Sequence, residues 1–166
     1  MVARSSKIRT VVVLLAFRLM VGFIVAAWGP FLVLSAHPGK PLAERVPLTV
    51  AGAVLVAAGT FGYLWCAWDF ASTGLSFSPS LVVESGIYGF LRHPMYSSLV
   101  LVLFGDSIFF KSWRLLGCAC VFWLIVHIFV VIYEEPHMVK RWGSAYPQYS
   151  KRVPRWIPRI LRPSTE

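Results

Sequence analysis

Negative charge is scarce in this chain. Seven Asp and Glu stand against sixteen Lys and Arg in 166 residues, and charged residues of both signs make up only 14%. A soluble domain carries roughly 25% charged residues, so an ordinary water-facing surface is excluded. Cysteine is scarce too. Cys66, Cys118 and Cys120 are odd in number, lie inside apolar runs and show no C-x-x-C spacing. That excludes a disulfide framework and leaves buried, inert thiols as the expectation. No H-E-x-x-H, P-loop, G-x-G-x-x-G or G-x-S-x-G motif occurs, nor any internal repeat or low-complexity tract. The chain therefore lacks the sequence marks of zinc hydrolysis, dinucleotide or phosphate cradles and the hydrolase elbow, and no metal is expected.

What the chain has is apolar length. Hydrophobic residues are 57% of it, concentrated in runs at about 10–35, 47–70, 94–110 and 114–133. A membrane-spanning helix needs about 20 such residues. The expectation is one all-α domain over 1–166, a polytopic membrane bundle of about four transmembrane helices with an interfacial tail at 134–166. The first run is far longer than a signal-peptide core and carries Arg18, so it reads as a first membrane helix. Pro38 and Pro41 break the chain before the second run. Only "KSW" separates the last two runs, which requires a C-terminal helical hairpin.

Basic residues are placed asymmetrically. Arg4, Lys7 and Arg9 precede the first run, and Lys140, Arg141, Lys151, Arg152, Arg155, Arg159 and Arg162 follow the last. The opposite loops hold only Lys40, Arg45, Lys111 and Arg114. Positive charge marks the cytoplasmic side, which places both termini and residues 71–93 there. A basic tail rich in Trp and Tyr beside an apolar run faces anionic lipid rather than nucleic acid. The bilayer is thus an expected partner, and nucleic acid is not.

The third run, from Pro94 to Phe110, is short. Its 17 residues make roughly 25 Å of helix against a hydrocarbon core of about 30 Å. Pro94 suits a first helical turn. The preceding "GIYGFLRH" then enters the interface as irregular chain, which is tolerated only against protein or a polar cavity. Counting outward from the hairpin levels Tyr96 with His127, His93 with Val130 and Gly89 with Glu134. His127, Val131 and Glu134 share a helix face. Arg92, His93, tyrosines, His127 and the Glu134–Glu135 pair can therefore converge on the cytoplasmic side. Glu134 and Glu135 read as the end of the fourth span, where acidic residues oppose the helix dipole and call for a functional reason. Arg18 suits an anionic ligand, snorkelling, or pairing with Asp69 or Glu134. Asp69 reads as interfacial, Asp106 as structural, and His37 has no role. His127 divides evenly between site and helix-contact readings. Met138, Trp142, Tyr146 and Tyr149 recur at helical spacing, as an amphipathic interfacial segment or a lid over a cofactor.

"GIYGFLRHPMY", an apolar pair of helices and then "EEPHMVKRWGSAYPQYSKRVPRWIP" together resemble the isoprenylcysteine carboxyl methyltransferase family, a relative of the membrane phospholipid N-methyltransferases. The resemblance covers about residues 80–160. It implies an integral membrane methyltransferase that uses S-adenosylmethionine in a cytoplasm-facing pocket and acts on an apolar, lipid-like or lipidated methyl acceptor. Carried over by motif, Gly86, Ile87, Tyr88, His93, Tyr96, Ser98, Leu99, Glu134 and Glu135 line the cofactor pocket; Arg92, His93 and Glu134, with His127 added from the hairpin count, are the catalytic candidates. Arg92 would anchor an anionic acceptor, whereas an amine acceptor would need a base such as His93, His127 or Glu134. Ser98 stands where members often have glycine, and "HIFVV" before the acidic pair holds no basic residue except His127. Phospholipid N-methylation therefore stays open as an alternative, as does a non-catalytic membrane interaction protein.

Overall fold

The structure, a computed structural model, describes residues 20, 22, 24–36, 46–73 and 86–158. Among these residues every regular element is helical. A π-turn at Ile24–Trp28 leads into α1 (Gly29–Ala36), followed by α2 (Val46–Thr73), a 3-10 turn at Gly86–Gly89, α3 (Pro94–Phe109) and α4 (Trp113–Phe129). A second π-turn, Val130–Glu134, joins α4 to α5 (Glu135–Trp142), and α6 (Ala145–Arg152) completes the order. Most of the expected first span, including Arg18, lies outside the described residues. So do the 37–45 loop with His37, Lys40 and Arg45, the basic residues before Thr10, and Arg159 and Arg162.

Two helical stretches, Val46–Asp69 and Trp113–Trp142, are long and apolar enough to cross a membrane. Their large side chains are mostly exposed, among them Val54, Phe61, Trp68, Val121, Ile125 and Ile132. Such surface cannot face water over this length, and the chain is an integral membrane protein. The second stretch is 30 residues long, about 45 Å of helix. It outruns the hydrocarbon core, so one end stands in the headgroup region or beyond.

Small residues let α2 and α3 approach closely. A Cβ on Gly59 would lie 2.7 Å from the Ser98 carbonyl oxygen and 2.9 Å from the Val102 nitrogen. One on Gly52 would run into the backbone of Phe109. The two helices therefore run antiparallel with their backbones in contact, the geometry that small residues permit in lipid. Because the obstructing atoms are backbone, no rotamer change relieves them. Gly59→Val is expected to push the helices apart and cost about 1–3 kcal/mol, read as a lower thermal midpoint in detergent.

Pro94 opens α3 as expected. At its other end, residues 110–112 turn the chain. The Phe110 N–H donates to the Asp106 carbonyl and the Ser112 N–H to the Ser107 carbonyl, both at 2.9 Å. The Ser112 hydroxyl then caps α4 by accepting from the Leu115 N–H. Asp106 is buried beside this turn.

Two expectations need correction. Glu134 and Glu135 do not end a helix: the chain continues helically to Trp142, and the pair sits at a π-turn within it. Cys118 and Cys120 are exposed, and only Cys66 is buried; the apolar runs bring thiols to the lipid-facing surface as readily as to the core.

Candidate functional site

Three pieces of chain meet at the Pro94 end of α3. The first is the 86–93 segment. Gly86 has φ 64°, and a Cβ there would collide with the Asp69 carboxylate of α2. Glycine alone meets both demands. The 3-10 turn then carries Tyr88 toward α6, whose Tyr149 hydroxyl donates to the Tyr88 carbonyl at 2.8 Å. Arg92 and His93 follow immediately before Pro94.

The second piece is the π-turn with its acidic pair. π-bulges re-aim side chains by inserting one residue into a helix, and this one turns both carboxylates to the 92–93 segment. Arg92 Nη1 donates to Glu135 Oε1 at 2.7 Å. His93 Nδ1 lies 3.7 Å from Glu134 Oε1, and His93 Nε2 lies 3.5 Å from Glu135 Oε1. The hairpin count anticipated this meeting of residues more than forty positions apart.

The third piece, residues 153–157, was missed. The Pro154 carbonyl accepts from the Arg92 N–H at 2.9 Å. Arg155 grips Glu135 with two bonds, Nε to Oε1 at 2.8 Å and Nη2 to Oε2 at 2.6 Å. Trp156 lies between two histidines, its ring 5.9 Å from that of His93 and 5.9 Å from that of His127. Its indole N–H donates to His127 Nδ1 at 3.1 Å. A Trp-Arg pair beyond an amphipathic segment resembles any interfacial tail in sequence, so only the fold reveals the return.

Met138, Trp142, Tyr146, Tyr149 and Val153 form a small apolar cluster of their own. The helical spacing was read correctly, and Gly143, at φ 56°, breaks it into two short helices. This cluster anchors the returning segment over the 86–93 turn. Ser98 lies against Gly62 in the α2–α3 contact, and Leu99 is buried. Tyr96 stays near the cluster, its ring 6.1 Å from that of His93.

Two guanidinium groups and two carboxylates balance the charge, so His93 need carry none. Burial pushes His93 down from 6.5 to about 4, against the pull of the Glu135 carboxylate. Glu135 is held below the usual carboxylate range by Arg155 and Arg92, which together outweigh its burial. Both shifts act in one direction. An unfolded chain takes up a proton at histidine below about 6.5, while the folded site refuses it until about 4. The stabilisation Glu135 draws from its arginines is present above the ordinary carboxylate value and is lost as pH falls through its own lower one. Stability is therefore expected to fall with pH from about 6.5 downward, by on the order of 3 kcal/mol for His93 alone. Thermal midpoints of wild type and His93→Gln across that range check it: the variant curve should be flatter.

The phospholipid methyltransferase family matches residues 48–145, over half of the chain. The chain belongs to that family. The matched region holds the tight α2–α3 contact, the Arg92–His93 segment and the acidic pair. A protein-S-isoprenylcysteine O-methyltransferase of Schizosaccharomyces pombe is 32% identical over 81 residues, 48% of this chain and 34% of that protein. A nickel-cobalt-cadmium resistance protein, NccN, of Alcaligenes xylosoxydans xylosoxydans is 26% identical over 113 residues, 68% of this chain and 51% of that protein. The chain thus spans about a third to a half of the length of these curated relatives.

Membership in the phospholipid methyltransferase family implies S-adenosylmethionine, and the cluster can be tested against it. Arg92 Nε is buried without a hydrogen bond among the described residues, and the Tyr146 hydroxyl lies beside the Arg92 guanidinium. They are donors beside a carboxylate pair. A ligand bearing both a carboxylate and an ammonium suits such a set, and the donor's methionine end carries both. The residues fit the group. Among the described residues no three His, Cys, Asp or Glu gather to hold a metal ion.

Proposed function

We propose that this protein is a membrane methyltransferase that uses S-adenosylmethionine, with its site at the meeting of residues 86–93, 134–135 and 153–157. The observation that carries this reading is the Arg92–Glu135–Arg155 assembly: it joins both halves of the motif into one hydrogen-bonded, partly buried cluster. Four spans, a hairpin of α3 and α4, cytoplasmic termini and a single domain over 1–166 complete the proposed architecture.

In this reading Glu134 and Arg92 hold the polar end of S-adenosylmethionine, and Gly86, Ile87, Tyr88, His93 and Tyr96 line its pocket. Glu135 supports them by fixing both arginines, and Ser98 and Leu99 stand behind the pocket wall. The bound donor supplies an electrophilic methyl group on a sulfonium. The chain's own work is to hold the acceptor in line and exclude water, for which the Trp156–His127–Trp123 aromatic stack is placed.

The acceptor is lipid-like or prenylcysteine-like. An apolar cavity of about 630 Å³ between the α1 region, α3 and α4, lined by Pro30, Leu103, Leu115 and Phe122 among others, offers room for a hydrocarbon chain. Phospholipid amine methylation is the second reading, favoured by the family match. It needs a base, and His93, at about 4, is too weak to hold a proton at neutral pH. Calorimetry of detergent-solubilised protein with S-adenosylhomocysteine tests the donor: saturable binding supports the proposal, and a folded protein that binds none overturns it. Labelled donor with lipid extracts then separates base-labile methyl esters from methylated amines.

A further inference from the structure

His127 lies on α4 between two indoles. Trp123, one turn earlier, stacks on it with centroids 5.3 Å apart and planes 24° from parallel. Trp156 approaches from the returning segment and donates its N–H to Nδ1 at 3.1 Å. An indole nitrogen can only donate, so the Nδ1 it meets must carry a lone pair. A neutral imidazole with Nδ1 unprotonated carries its proton on Nε2. Protonating both nitrogens would set two N–H groups against each other at that separation.

Trp156 is not free to yield. The residue before it, Arg155, is clamped to Glu135 by two bonds of 2.8 and 2.6 Å. The one before that, Pro154, is bound through its carbonyl to the Arg92 backbone. The polar cluster that anchors the site therefore also sets the indole.

We infer that Trp156 is a positioning residue that locks His127 in its Nε2–H tautomer, so that His127 meets the methyl acceptor as a hydrogen-bond donor and not as its base. The catalytic half rests on the methyltransferase reading above; the tautomer does not. With His127 committed to donation, an amine acceptor loses one of its candidate bases. An acceptor that is already anionic needs no base and gains a donor.

Nitrogen-15 NMR of histidine-labelled, detergent-solubilised protein tests the lock directly, with His127→Gln identifying the His127 signals among four histidines. The expected pattern is Nδ1 at the downfield position of an unprotonated nitrogen and Nε2 at the upfield position of a protonated one. In Trp156→Phe the two should shift toward each other as both tautomers populate. An Nδ1 signal at the protonated position, or the same pattern with and without the indole, overturns the proposal. If Trp156→Phe does not fold, the indole N–H signal decides. It should stay hydrogen-bonded in His127→Asn, whose amide oxygen can replace Nδ1, and shift upfield in His127→Gln; equal shifts in both refute the lock. Failure to bind S-adenosylhomocysteine would sink the methyltransferase reading and leave these spectra unchanged.

Discussion

Glu135→Ala is expected to be the most destabilising single change at the Pro94 end of α3, costing about 3 kcal/mol and lowering the thermal midpoint in detergent by about 10 °C. The carboxylate receives three hydrogen bonds from two guanidinium groups. Its removal leaves Arg92, whose side chain is only 12% exposed, without its counter-charge. Arg155 is 29% exposed and can turn to water, which keeps the cost at the lower end of the range for buried pairs. Arg155→Gln should therefore be milder, about 1 kcal/mol, because Glu135 keeps Arg92. Equal midpoints for Glu135→Ala and wild type would show that the assembly contributes nothing to the fold.

The second large effect is on ligand affinity. Glu134→Gln and His93→Ala are each expected to weaken S-adenosylhomocysteine binding about tenfold or more, the loss of one charge-assisted bond or of one buried pocket wall. Asp106→Asn, at the opposite end of α3, should bind as wild type does. Calorimetry on the three variants separates the outcomes. The contrast between neighbours matters most: Glu135→Ala is predicted to act first on stability, Glu134→Gln first on affinity. If both lose affinity equally and neither loses stability, the division of labour drawn from the two arginines is wrong.

Much of this site could be read before any coordinates, because its parts follow from simple counting. A proline at a first helical turn fixed where α3 begins. A three-residue connection forced α3 and α4 together, and equal helical rise then brought Arg92 and His93 toward the acidic pair. Two things escaped the count. Helical register assumes 3.6 residues per turn, and nothing in "VVIYE" announces a π-turn or a helix that runs on past Glu134 and Glu135 to Trp142. The return of residues 153–157 depends on tertiary contacts of Arg155 and Trp156, and local pattern carries no information about a partner 20 or 29 positions away. The approach of Asp69 to Gly86 is likewise a tertiary contact that no local pattern announces.

The double grip on Glu135 also has a schedule. Arg155 follows Glu135 by 20 residues, so at 5–20 residues per second it is polymerised about 1–4 s later. The acidic pair therefore gains its second guanidinium, and His127 its indole, only from residues made after the helices that frame the site.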